Sequence, residues 1–243
     1  MSIETQTGSE TWEPLPLLER RVLGVLVEKQ KTSKSPDAYP MTLNALTSGC
    51  NQKSNRDPVL DLGDDDVEET LGRLQRRGLV SKLVGGRVDR WRHLLYEAWR
   101  VNKLELAVLA ELLLRGPQTE GDLRGRASRM DEIKDVDELR AVLKPLADRR
   151  LVVYLTPPDR RGTVLTHGFH AAEELEAAKT RFAAGVADND PGPPRVQAAG
   201  RDAVQGLEAR LSQATADIEK LKQAVEGLQA QIASVRKELG LPG

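Results

Sequence analysis

The reading of the fold turns on YPMTLNALTSGCNQKSNRDPV, residues 39–59, and on DDDVEETLGRLQRRG, residues 64–78, which follows it. Thr42 stands where a helix N-cap accepts a backbone N–H, so a short helix is predicted through about Ser48. The polar run Asn51 to Pro58 reads as a loop, and the apolar Val59, Leu60 and Leu62 after it are expected to tuck under the body. Asp64, Asp65 and Asp66 place negative charge where a helix N-terminus favours it. Val67, Leu71 and Leu74 then recur at i, i+4 and i+7, and Gly78 ends the helix. Leu79–Val84 and Arg87–Leu95 read as strands joined by Gly85-Gly86, a two-residue hairpin signal. A short helix, a loop, a longer helix and a hairpin, in that order, describe a helix-turn-helix with a wing.

Outward from this stretch, Leu17–Gln30 is predicted as a helix from the spacing of Leu18, Val22, Val25, Leu26 and Lys29. Lys31–Pro40, with its serines, threonine and prolines, is predicted as a loop. The pattern then returns. Val22, Leu23 and Leu26 match Val108, Leu109 and Leu112; Thr42 and Leu46 match Thr119 and Leu123; residues 67–80 match residues 139–152. A second hairpin follows, Leu151–Leu155 and Thr163–Phe169 about a Pro157–Gly162 tip. Its apolar faces are expected to close a second, separate small core.

From Ala203 onward a heptad register is regular, with Val204, Leu211, Ile218, Val225, Ile232 and Leu239 at a and Leu207, Ala214, Leu221, Leu228 and Val235 at d. Mostly β-branched a with mostly leucine d favours a parallel homodimer. The expected organisation is a disordered arm (1–16), two winged-helix domains (17–100 and 101–171), a connecting helix and linker (172–200) and a coiled coil (201–240). The fold class is mainly α with small β-hairpins (α+β).

The single Cys50 excludes an internal disulfide and suits a reducing compartment. The first residues lack a signal-peptide pattern, and no apolar run reaches the ~20 residues of a membrane span, so a cytoplasmic protein with no membrane partner is expected. Net charge is +3 over residues 17–100 and +1 over 101–171, without the basic excess of a protein that neutralises many phosphates.

The strings Val27-Glu28-Lys29-Gln30, Tyr39-Pro40, CNQKSNRDPV (50–59), LLLRGPQT (112–119) and Leu123–Ala127 together resemble the YceH family. The resemblance spans about residues 17–170 and includes the C-terminal heptads. It implies two winged-helix domains, with no activity assigned. Lys31–Ser35 and the long linker depart from the shorter family pattern.

In a winged helix the third helix enters the major groove. Here that helix carries Arg73 and Arg76 outward behind an acidic start, and Asp135, Asp137 and Glu138 repeat the acidic start in the second copy, which also holds Pro145. The candidate contacts to nucleic acid or a partner are therefore Lys53, Asn55 and Arg56 in the loop, Arg73 and Arg76, the wing residues Arg87, Arg90 and Arg92, then Arg124, Arg126 and Arg129, and the tip pair Arg160 and Arg161. A solvated charged surface is the plain alternative for each, and Asn51, Asn55 and Asp57 fit side-chain to backbone turns equally well. Cys50 with His93 is a conceivable nucleophile pair without an orienting third group; a buried apolar cysteine is the plainer reading. His167 and His170 could share a face only in a helix, which Gly168 argues against. No phosphate-binding glycine loop, metal set or Gly-x-Ser-x-Gly is present, so neither an enzyme nor a cofactor is expected. Regulatory binding of double-stranded DNA, by a dimer presenting its basic wings and the Lys53/Arg56 loop, is the function expected first. A protein-interaction scaffold of degenerate winged helices, with another protein as partner, is the alternative.

Overall fold

A computed structural model describes residues 12–158, 160 and 162–186. The heptad register from Ala203, the linker, the first eleven residues and Arg161 lie outside the described residues. The fold is mixed, largely helical with small antiparallel sheets.

The chain runs through α1 (Leu17–Thr32), α2 (Leu43–Cys50), α3 (Asp64–Arg76), β1 (Val80–Leu83) and β2 (Arg90–His93). After the short α4 (Leu95–Ala98) the order returns as α5 (Lys103–Arg115), β3 (Gln118–Thr119), α6 (Glu120–Ala127), α7 (Val136–Asp148), β4 (Val152–Tyr154) and β5 (Val164–His167). α8 (Ala172–Val186) follows. The repeat extends to the caps. Thr42 accepts from Ala45 N–H at 3.3 Å and Thr119 from Asp122 N–H at 3.2 Å, each satisfying an orphan donor of a first turn.

Each repeat ends in a hairpin. In the first, β1 and β2 pair from Val80↔His93 to Leu83↔Arg90, and Met41 bridges Trp91 on the other side of β2. In the second, β5 lies between β3 and β4, with Gln118↔Leu165 and Val152↔His167 in register. The first hairpin is not the two-residue turn expected at Gly85-Gly86. Trp91 is fixed between Lys82 and Met41, with the Lys82 ammonium 5.5 Å from its ring centre. That register leaves Val84 to Asp89 as the connection.

The expectation of two separate cores is corrected. One continuous core runs through both repeats, and its axis is α1 packed on α5. Glu19 to Glu28 in α1 and Glu105 to Leu114 in α5 are buried without interruption, the same ten-residue window in each copy. A helix enclosed on every side cannot be an amphipathic surface helix; each repeat contributes one helix to the other's interior. Two smaller readings also change. Lys31–Pro40 is not wholly loop, because α1 continues to Thr32 and Pro36–Ala38 forms a 3-10 turn. Val59 does not tuck under but stands 56% exposed, since bonds to Pro58 and Leu62 hold the chain on either side of it.

Candidate functional site

The loop 50–59 is shaped by groups far away in sequence. Arg21, fully buried in α1, donates to Cys50 O at 3.0 Å and to Pro58 O at 2.5 Å. Arg56 turns inward: Nε donates to Gly49 O, Nη1 to Asn55 O, and Nη2 to Gln52 Oε1 and to the Glu28 carboxylate at 2.5 Å. Asn55 takes φ +60°, which asparagine tolerates, and its Oδ1 accepts from Arg115. Asn51 closes the far end by exchanging bonds with Leu62 N and O. Asp57 N–H donates to Leu114 O at 3.0 Å. The loop is thus fastened to α1 and α5 together.

Beneath it lies an ionic cluster spanning the α1–α5 seam. Glu28 pairs with Arg56 and lies 3.7 Å from Arg129, while Glu111 pairs with Arg129 at 3.3 Å and with Arg115 at 3.1 Å. The Arg115 Nε and Glu111 Oε1 atoms are not aligned for a hydrogen bond, so that contact is Coulombic. Burial pushes the Glu111 carboxyl upward, and Arg115 and Arg129 oppose that shift. Burial also lowers Arg115 from its ordinary value, with Glu111 opposing.

Half of the basic residues singled out from the sequence have internal partners. Arg73 pairs with Glu69 at 2.6 Å and Glu19 at 3.5 Å. Arg90 donates to Asp37 O and Pro40 O, Arg124 to Ile133 O and Lys134 O, and Arg126 to Gln118 Oε1. Arg129 belongs to the seam cluster, as Arg56 and Asn55 belong to its roof. Lys53, Arg76, Arg87, Arg92 and Arg160 are exposed and form no side-chain hydrogen bond or ion pair among the described residues. They stand on separate elements: the loop, the end of α3, the first hairpin and the tip of the second.

The third helix of each repeat presents acid outward. Asp64, Asp65, Asp66, Glu68 and Glu69 are exposed on α3, whose Val67, Leu71 and Leu74 face the core. On α7, Asp137 and Asp148 are exposed, and Asp135 caps the helix at Glu138 N–H. The sequence reading missed an apolar patch at the tip of the first hairpin, Leu83, Val84 and Val88, at 39%, 73% and 53% exposed. The signal was there: apolar residues on both sides of a glycine turn, where polar ones are usual.

Cys50 and His93 do not form a nucleophile pair. Cys50 is buried, and burial pushes its thiol up to about 12, away from the thiolate that nucleophilic attack requires. His93 is held by Gln30 Oε1 at 2.8 Å and by Leu95 N–H. The His167 and His170 rings do meet, stacked at 4.0 Å and 19°, although no helix joins them. At Gly168 the chain passes so close to Arg150 that a Cβ would lie 1.7 Å from its carbonyl oxygen, and this tight turn brings the rings together. Among the described residues no helix is long and apolar enough to cross a membrane.

A family model described as "Protein of unknown function, DUF480" matches residues 15–162. A UPF0502 protein of Rhodopirellula baltica is 44% identical over 72% of this chain and 73% of its own length. One from Citrifermentans bemidjiense is 53% identical over 54% of this chain and 60% of its own length. One from Azotobacter vinelandii is 40% identical over 78% of this chain and 84% of its own length. The matched residues contain the 50–59 loop and the α1–α5 seam.

Proposed function

We propose that this chain, which belongs to the DUF480 family, is a protein-interaction module built from two winged helices, whose third helices and first wing receive another protein. The observation that carries the reading is the charge of the third helices. A helix that enters a DNA groove needs cations facing phosphate, and α3 instead offers five exposed carboxylates with Arg73 already paired. The exposed Leu83, Val84 and Val88 add an apolar centre beside that rim, the composition usual for a protein contact. The heptads from Val204 to Leu239 would join two copies, doubling the surface. No enzymatic step is part of this reading.

DNA binding is the second reading, favoured by Arg87 and Arg92, which stand exposed on the first wing and have no side-chain partner among the described residues. One experiment separates the two. The full chain should leave a random duplex unshifted at about 0.1 M salt. Photo-crosslinking groups placed at Glu68 and at Val84 should capture one and the same protein, and Asp64→Lys with Asp65→Lys should abolish that capture. A duplex shift that weakens steeply with salt and disappears in Arg87→Glu with Arg92→Glu would replace the protein reading with the DNA one.

A further inference from the structure

The two hairpins place a buried histidine at the same position. His93 faces Val80 and His167 faces Val152, each at the end of its second strand. Each ring accepts at Nδ1 from the backbone N–H two residues on, Leu95 for His93 and Phe169 for His167. A nitrogen that accepts holds a lone pair, so the proton of each neutral ring is on Nε2. In the first repeat that Nε2–H meets an acceptor, Gln30 Oε1 at 2.8 Å. In the second it meets Arg20 Nη1 at 3.3 Å, a group with protons and no lone pair to offer. Burial keeps His167 neutral, so its Nε2–H remains a donor without an acceptor.

Arg20 repeats the deficit. Its Nη2 reaches Glu174 at 2.8 Å and its Nη1 reaches His170 Nδ1 at 3.0 Å, yet its buried Nε has no partner among the described residues. Among the described residues, two buried N–H donors in one place lack an acceptor, an arrangement that protein interiors rarely leave unfilled. Both residues line a cleft of about 190 Å³ between α1, the turn after α5 and the start of α8. Leu17, Leu113, Pro58 and Pro117 make its apolar walls, and the exposed Asp57 stands at its edge. An apolar cavity of about 150 Å³ holds benzene, so this one admits a body of roughly that many atoms with a polar end.

We propose that the cleft binds a small monocarboxylate, its oxygens accepting from Arg20 and His167 and its short aliphatic body lying on the leucine and proline walls. Asp57 and Glu174 balance Arg20 and Arg115 in the lining, which disfavours a dianion such as phosphate and suits a ligand of at most one negative charge. A plain short-chain acid and an aliphatic α-amino acid share this chemistry, the second adding an ammonium for Asp57.

Calorimetric titration of the full chain tests this with isovalerate, L-valine, isoamyl alcohol and inorganic phosphate. Isovalerate or L-valine should bind saturably at one site, about tenfold or more tighter than the alcohol or phosphate. If valine is the tighter acid, Asp57→Asn should weaken valine about tenfold and leave isovalerate unchanged; if isovalerate is the tighter, the ligand is a plain acid. Arg20→Lys keeps the charge facing Glu174 but removes Nε, and should weaken either acid about tenfold. Should that variant fail to fold, ring signals of the unaltered protein decide: the bound acid should shift His167 and His170 and leave His93 in place. Absence of saturable acid binding, phosphate binding more tightly than either acid, or shifts at His93 alone would overturn the proposal.

Discussion

The second and third helices are joined by residues 51–63 in the first repeat and by residues 128–135 in the second. The shorter connection is closed locally: Ser128 Oγ accepts from Ile133 N–H, and Arg124 donates to Ile133 and Lys134 carbonyls. The longer one is closed at a distance, by Arg21 and Glu28 of α1 and Arg115 of α5. One scaffold therefore carries two kinds of loop. The first is folded by bonds from helices of both repeats, while the second folds on its own bonds and reaches α1 through two side chains, Arg129 to Glu28 and Asp131 to Lys31. That difference assigns the charged loop of the first repeat to the seam, where charges are enclosed and each depends on its partner.

Breaking the seam should give the largest effect. Arg56→Ala leaves Glu28 buried with only the more distant Arg129 for company. Removing one partner of a buried pair costs about 3–5 kcal/mol. Arg124→Ala, the counterpart cut in the second repeat, removes bonds to two carbonyls near the surface and should cost about 1 kcal/mol. Chemical denaturation of the two variants measures the contrast, and equal losses would refute the division of labour.

That contrast also marks what could be read from residues alone. The repeat was legible because its signals are local: Thr42 and Thr119 act within three residues, and the faces of α3 and α7 follow a helical period. The seam was not legible, because Arg21 and Arg56 look like any surface arginine until α1 is seen to be buried all round. The loop's turn chemistry at Asn51 and Asn55 was readable, its anchors were not. The hairpin register depended on Met41, some fifty residues from Trp91, and the histidine stack on a backbone approach at Gly168. Long-range closure has no period and leaves no spacing to find.

A smaller effect comes from the matched histidines. Burial lowers His93 from 6.5 to about 4, with Lys31 and Arg92 adding to the shift. The unfolded chain therefore binds a proton between these values that the folded chain refuses. Stability from this group is complete above about pH 6.5 and is lost as pH falls through about 4, by roughly 3 kcal/mol. His167 is lowered in the same direction. His93→Gln should flatten the fall of stability between pH 6.5 and 4 measured by urea unfolding, while retaining a slope from His167. An unchanged slope would remove His93 from the account.

The finest comparison is at the ends of α3 and α7. Both helices close the same way: Leu79 N–H donates to Leu74 O and Leu151 N–H to Leu146 O, with a left-handed residue between. In the first repeat that residue is Gly78 at φ +68°; in the second it is Arg150 at φ +58°. A side chain in this conformation costs about 1 kcal/mol, and a Cβ at Gly78 would touch nothing within 4 Å, so no collision confuses the comparison. Gly78→Ala should therefore lower stability by about 1 kcal/mol and Arg150→Gly raise it by somewhat less, since glycine also frees the unfolded chain. Thermal unfolding of the pair should move the midpoint in opposite directions by a few degrees. Movement in one direction would mean that the matching backbone conformations are held by different neighbours, and the two repeats would then share a fold without sharing the energetics of its ends.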